Sequence, residues 1–353
     1  MTYGAIDLHK KESQVRIVTE RGEVIDRRIA THRDAFTQLF GGRPRMRVLL
    51  EASTESEWVA CHLEGLGQEV IVADPNYAPM YGGRSRRIKT DLRDVAALTT
   101  ACGQGIYRPI HRRSAARRAI QAQLRVRDEL IEARGRAISM VRALTRAEGL
   151  RLRSGSAATF VHRLAGLELS PTLAVTVAPV CEMLGGLNEA LRRADARLAD
   201  LVRTDPDVAR LTTFPSIGAV TAAAFVGALD DVTRFRRANQ VANYLGLVPR
   251  EYSSGEQQRR GHIVRSAHPR VQALLVQAAW RVWLSSRAET GRLRDWARFL
   301  AKRRSLRIAI VALARRIARI LFAMWRDERA YEAPRRDARA TAHASGAIGA
   351  PMQ

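Results

Sequence analysis

Across Pro109 the sequence changes its hydrophobic period, and that change limits what the chain can fold into more than any other feature. Before it, short apolar runs bounded by turn residues read as strands: Tyr3-Gly4-Ala5-Ile6-Asp7, Gln14-Val15-Arg16-Ile17-Val18, Val24-Ile25 after the turn at Arg21-Gly22-Glu23, Arg47-Val48-Leu49-Leu50-Glu51, and Glu69-Val70-Ile71-Val72-Ala73. Helices are expected around Glu57 to Leu66 and from Asp91 to Cys102, so residues 1–108 read as an α/β domain that opens on a β-meander. After Pro109, Ile120, Leu124, Ile131, Ile138 and Val141 keep helical spacing, with Val180, Leu184, Leu187, Leu191 and Leu198 as a returning arm beyond a looser stretch containing Gly155, Gly166 and Pro171. Residues 109–209 are therefore expected to form a helical coiled-coil linker or dimerisation region, although an ordinary bundle has the same periodicity. Residues 210–330 read as a mostly α-helical C-terminal domain carrying a short loop, Val248 to Gly261. Residues 331–353, rich in Ala, Arg, Ser and Gly, read as a disordered tail.

Lysine and arginine total 59 against 35 aspartates and glutamates, a formal net charge of +24. A surface of that sign attracts phosphate through counterion release, and arginine's planar fork suits bidentate phosphate contact. GC-rich coding would also favour arginine, but it would raise Ala and Gly without leaving the charge so lopsided, so nucleic acid is the expected partner. Cys61, Cys102 and Cys181 stand far apart with no C-x-x-C pair and no His cluster at zinc spacing, which fits a reducing cytoplasm. The N terminus reaches Asp7 before any apolar run forms, and the uncharged stretch Leu169 to Cys181 is short and carries Pro171 and Pro179. Neither an export signal nor a membrane span is expected.

Asp7 ends the first strand, Glu51 ends a later one, and Asp91 and Asp94 stand at i and i+3 on one helix face. Brought together, the four would repel one another unless divalent cations neutralised them, and an oxygen-only donor set favours Mg2+ or Mn2+. Two such ions can activate an attacking oxygen and stabilise a leaving one in phosphodiester cleavage. Taken singly, each of these acids is more usually a solvated group or a helix cap than a ligand, and it is their order on strand, strand and helix that points to metal. Arg84, Arg86, Arg87 and Lys89 precede Asp91 as a basic cluster suited to a phosphate backbone.

In the loop Gly246-Leu247-Val248-Pro249-Arg250-Glu251-Tyr252-Ser253-Ser254-Gly255, a serine beside glycine can approach a phosphate, with Arg250, Arg259 and Arg260 near to offset charge. On the residues alone Ser-Ser-Gly reads more readily as ordinary turn chemistry than as a nucleophile, and Tyr252 is a rival nucleophile. Upstream, Phe214-Pro215-Ser216-Ile217-Gly218-Ala219 resembles a helix-hairpin-helix, whose turn at Gly218 would present backbone N–H groups to phosphate; a plain helix–turn–helix is the alternative.

The runs Gly4-Ala5-Ile6-Asp7-Leu8-His9-Lys10, Leu50-Glu51-Ala52-Ser53 and Lys89-Thr90-Asp91-Leu92-Arg93-Asp94, together with the serine loop and Arg259-Arg260-Gly261-His262-Ile263, resemble the DEDD-type transposases of insertion-sequence family one-ten, relatives of the pilin-gene-inverting recombinase. The resemblance extends from about Tyr3 to Trp325. It implies that Asp7, Glu51, Asp91 and Asp94 bind metal in a RuvC-like N-terminal domain of ribonuclease H fold, and that Ser254 is the nucleophile that joins DNA covalently. It further implies a bacterial cytoplasmic enzyme that cuts and rejoins double-stranded DNA at element ends and target, guided by an element-encoded RNA, as homodimers or homotetramers. Ser216 stands where relatives often carry glycine, and Ser266-Ala267-His268-Pro269 departs from an expected Arg-Gly-Asn-Pro.

Three other readings compete. A structure-specific, metal-dependent nuclease resembling a Holliday-junction resolvase would use the acids and dispense with the serine. A sugar kinase or actin-like ATPase would need a glycine-rich phosphate turn where Leu8-His9-Lys10 stands. A non-catalytic scaffold would tolerate Asp7→Asn.

Overall fold

The computed structural model describes residues 1–82, 90–254, 257–263 and 268–333, with 250–263 described by their backbone alone. Arg84, Arg86, Arg87, Lys89, Ser266, Ala267 and the tail from 334 onward lie outside the described residues. The chain forms two compact units, Met1–Arg113 and Ser114–Gln353.

The first unit contains β1 (Tyr3–Leu8), β2 (Glu12–Val18), β3 (Val24–Ala30), α1 (Arg33–Phe40), β4 (Arg47–Glu51), α2 (Ser56–Gly65), β5 (Glu69–Ala73) and α3 (Asp91–Gln104). The mixed five-stranded sheet has the order β3-β2-β1-β4-β5, antiparallel through the opening meander and parallel from β1 to β4 to β5. Adjacent residues of a strand face opposite ways, and both faces are covered. Ile6, Leu50 and Val72 join Phe36, Phe40, Val59 and Leu63 beneath α1 and α2. Ala5, Leu49 and Ala73 join Val95, Leu98 and Cys102 beneath α3. Burial on both sides explains why the parallel strands read as continuous apolar runs rather than alternations. A Cβ at Gly103 would lie 2.7 Å from the Tyr3 ring, so glycine there lets α3 settle close onto β1. Helix α1 is absent from the sequence expectations; it is a single short amphipathic segment, started by the His32 imidazole, which accepts from Ala35 N–H at 3.3 Å.

The second unit opens with α4 (Ala115–Ala147), α5 (Phe160–Ala165) and α6 (Pro171–Val202). Helices α4 and α6 pair antiparallel: the Gln123 amide donates to Ala194 O at 2.9 Å, and farther out Arg134 donates to Asn188 Oδ1 at 2.9 Å. The returning helix starts at Pro171, earlier than the periodicity from Val180 indicated, because proline at the first helical position sacrifices no hydrogen bond. It continues through Pro179, which sits on its solvent face. The helical hairpin has two apolar ends. Ile120, Leu124, Leu198 and Val202 belong to the large core of the remaining helices, whereas Ile138, Val141, Phe160, Leu173 and Leu184 form a separate cluster toward the tip.

That remainder comprises α7 (Pro206–Thr212), α8 (Ala219–Leu229), α9 (Ala238–Tyr244), β6 (Pro249–Ser254), β7 (Gln257–Ile263), α10 (Pro269–Leu284), α11 (Gly291–Arg303) and α12 (Leu306–Arg326). Where the sequence indicated a loop from Val248 to Gly261, the backbone forms an antiparallel two-stranded ribbon, with Ser254 paired to Gln257. The run Gln257-Gln258-Arg259-Arg260-Gly261 has no apolar alternation, so the pairing left no trace in the hydrophobic pattern.

Candidate active site

Strand parity sets the acidic site. Ile6 pairs with Leu50 across the parallel β1–β4 ladder, so Asp7 and Glu51 are the next positions on neighbouring strands. Both alternate away from the α1–α2 side and share the parity of Ala5 and Leu49, which places them on the face that α3 covers. Helix α3 begins there. The Thr90 hydroxyl caps it by accepting from Arg93 N–H at 3.4 Å, and Asp91 and Asp94 occupy its first turn, where the helix dipole favours negative charge. Asp94 is buried, the Asp7 side chain is 15% exposed and that of Asp91 57% exposed, so the cluster runs from the core out to solvent.

Burial pushes the Asp7 carboxyl above its ordinary value; nearby His9 opposes the shift, and the charges of Asp94, Asp91 and Glu51 add to it. The charges of the other three sequence-predicted acids thus all reach Asp7. His9 was not assigned a role from sequence. Its Nε2 lies 3.5 Å from Asp7 Oδ2 and 3.7 Å from Asp91 Oδ1, and the three residues offer ligand atoms within 4.8 Å of one another. The available signal was spacing: His9 stands two residues beyond Asp7, on the same side of the extended chain. A cleft of about 480 Å³ adjoins the cluster, lined by His9, Lys10, Lys11, Arg28 and Asp91 among others. Carboxylates gathered around a largely buried Asp7, with lysines at the rim, suit a hard divalent cation holding a phosphate. Imidazole is a poorer partner for such an ion, which makes His9 better suited to orienting the two aspartates than to replacing one.

In the second unit, β6 carries Arg250 and Ser254 and β7 carries Arg259 and Arg260; the register sets Arg259 opposite Tyr252 and Arg260 opposite Glu251. Their side chains, and that of His262, lie outside the description. Between α7 and α8 the chain turns through Ser216 at φ 82°, and α8 is capped by Gly218 with no side-chain hydrogen bond, Gly218 and Ala219 being exposed. His268 is buried with its ring 4.7 Å from that of Tyr244, a packing role for the segment that departs from the family's pattern.

Among the described residues no helix is long and apolar enough to cross a membrane. A family model for DEDD transposases of the IS110 type matches residues 5–147, and a second, described as transposase IS116/IS110/IS902 family, matches residues 208–294. A probable family 20 transposase of Pseudomonas aeruginosa is 33% identical over 337 residues, covering 92% of this chain and 97% of its own length. The transposase for insertion sequence element IS1328 of Yersinia enterocolitica is 27% identical, covering 91% and 95%. The transposase for insertion sequence element IS1111A of Coxiella burnetii is 24% identical, covering 92% and 90%. The two family matches take in the acidic face and the segment from α7 through α10, and the Pseudomonas relative runs nearly end to end, so this chain belongs to the IS110 family of DEDD transposases.

Proposed function

We propose that this transposase cuts and rejoins double-stranded DNA with a site in two parts: a metal-binding carboxylate cluster of Asp7, Glu51, Asp91 and Asp94 in a RuvC-like domain of ribonuclease H fold, and a nucleophilic serine, Ser254. The observation that carries the reading is the gathering of the four acids on the α3 face around a raised Asp7. Mg2+, or Mn2+, bound there would neutralise charge on the reacting phosphate. Lys10, Lys11 and Arg28 at the cleft hold the DNA backbone beside the acids, and His9 keeps Asp7 and Asp91 in position. At the serine, the Oγ–H proton leaves and an Oγ–phosphorus bond forms as the phosphorus–deoxyribose oxygen bond breaks. The deoxyribose oxygen departs with the electron pair and takes up a proton. The reverse step rejoins a strand without an outside energy source, because the phosphoserine ester keeps the bond energy. Arg250, Arg259 and Arg260 offset charge in that transition state, and the exposed N terminus of α8 at Gly218 holds a neighbouring phosphate.

Family membership and the charge of +24 support the remaining parts of the proposal: an element-encoded guide RNA beside the DNA, homodimers or homotetramers, and action in the bacterial cytoplasm. The proposed organisation is a metal-binding domain over 1–108, a coiled-coil dimerisation region over 109–209 and a serine-bearing domain over 210–330.

The test incubates wild type, Ser254→Ala and Asp7→Asn with Mg2+ and labelled element-end DNA, and looks for a covalent protein–DNA adduct on a denaturing gel. Adduct in wild type alone is the expected result. Undiminished strand transfer by Ser254→Ala would overturn the serine and leave the structure-specific nuclease.

A further inference from the structure

Arginines along the helical hairpin fall into two groups. On the shaft several are paired with acids within the unit: Arg127 with Asp195, Arg136 with Glu129 and Glu132, and Arg192 and Arg193 with a shared Glu189. At the tip they are not. Arg142, Arg146 and Arg151 line a cavity of about 700 Å³ together with Thr145, Gly149 and Ser154, and none of the three has an ion-pair partner among the described residues.

The tip is built to keep them together. Helix α4 ends in a left-handed Gly149 at φ 77°, whose N–H donates to Arg146 O at 3.0 Å while Leu150 N–H donates to Thr145 O at 3.0 Å. This double bond pattern reverses the chain over the helix end and carries Arg151 and Ser154 back beside Arg142 and Arg146. The Arg142 guanidinium lies 5.8 Å from the Phe160 ring centroid, a contact that holds it without neutralising it. The nearest acid in sequence, Glu148, is engaged elsewhere, accepting from the Ser170 hydroxyl at 2.6 Å at the start of α6. The C terminus of α4 adds about half a negative charge, too little to balance three guanidiniums.

We infer that this tip cavity is a binding site for the phosphate backbone of duplex DNA, separate from the acidic and serine parts of the enzyme. Three guanidiniums beside the Thr145 and Ser154 hydroxyls, with Leu150 and Leu152 completing the lining and no ion-pair partner for the arginines among the described residues, match phosphate chemistry. Duplex DNA is favoured over other polyanions by reach. From Leu124 in the large core to Arg146 is about 33 Å along α4 at 1.5 Å per residue, close to one turn of B-DNA at roughly 34 Å. A duplex lying along α4 from its base would therefore reach the tip after about one turn.

The test measures binding of a fluorescent 30-base-pair duplex by the full chain in EDTA, where cleavage does not contribute, over a salt series. Arg146→Gln with Arg151→Gln is the tip variant, and Arg192→Gln with Arg193→Gln removes the same charge from the shaft. We expect the tip variant to weaken binding about tenfold or more and to lower the salt slope by about 2, with the shaft variant near wild type and both folded by circular dichroism. Equal losses in the two variants would reduce the effect to net charge, and an unchanged slope in the tip variant would remove the site; either overturns the inference. A loss seen with single-stranded RNA of the same length but not with the duplex would overturn the assignment to DNA. None of these outcomes depends on whether Ser254→Ala blocks strand transfer.

Discussion

The acidic face of the first unit and the serine ribbon of the second, the two parts of the proposed catalytic machinery, stand on different kinds of scaffold. The acids occupy strand ends and a capped helix start in a sheet buried on both faces. The ribbon is a two-stranded sheet of its own, a unit with little independent stability. Among the described residues the non-glycine positions at positive φ, Ser216, Asp230 and Glu328, all belong to the second unit. Like charges need a rigid frame to hold them together against repulsion, whereas a nucleophile needs only access to its phosphorus. Predictions that act on one region and spare the other test this contrast.

The largest effect is expected at the acids. Asp7→Asn should lower strand cleavage by about a thousandfold or more, as removal of a metal ligand does, with the fold intact by circular dichroism. Ser254→Ala should abolish adduct formation equally, yet keep the rise in melting temperature expected for the wild type on adding Mg2+. If both variants lost that rise, the two regions would not be separable in function.

Next is a structural anchor of the second unit. The half-buried Arg117 guanidinium pairs with Asp205 and Asp207 and lies 5.9 Å from the Trp325 ring, tying the base of the hairpin to the helical core. Arg117→Ala leaves two carboxylates facing each other and should cost about 3 kcal/mol in denaturant unfolding. The unit boundary sharpens the test, since unfolding followed at Trp58 in the first unit should move less than unfolding of the helical core.

A smaller effect with a definite sign comes from the raised Asp7. A carboxyl whose folded pKa exceeds its ordinary 3.8 binds its proton more tightly in the folded state, so ionised Asp7 costs stability at neutral pH. That cost disappears as pH falls through the folded value toward 3.8. In EDTA, Asp7→Asn should therefore melt above wild type at pH 7, and the two curves should converge toward pH 4. Saturating Mg2+ should instead raise the wild type alone, by about 2.7 kcal/mol at one hundred times its dissociation constant.

The same contrast explains what could be read from the sequence. Strand and helix placement in the first unit follows from apolar runs and their carboxylate ends, because side-chain parity and helix spacing alone carry Asp7, Glu51, Asp91 and Asp94 to one face. His9 escaped because its spacing from Asp7, the one signal available, is shared by any residue two positions past a strand-end acid. Helix α1 escaped because a single two-turn segment has too few residues for its period to stand out. The second unit was legible as helices but not as a ribbon, since Gln257 to Gly261 alternates no apolar residue, and Ser254 stood out only through family resemblance. The start of α6 was obscured by Pro171 and Pro179, residues that read as breakers although the first is favourable where it lies.

The smallest effect tests the strain itself. Ser216 sits at φ 82° in the turn between α7 and α8, a region that costs a residue with a Cβ about 1 kcal/mol and costs glycine almost nothing. Its side chain makes no hydrogen bond among those described, so replacement should lose little else. Ser216→Gly should stabilise the protein by somewhat less than that cost, because glycine also gains freedom in the unfolded chain. The matching change in the first unit is Gly105→Ala at the end of α3, φ 71°, which should destabilise by a similar amount. Opposite signs at the two turns, read as shifts in denaturation midpoint, would show that the second unit tolerates backbone strain the first avoids; a loss of stability in Ser216→Gly would mean that the serine is held by contacts its backbone does not reveal.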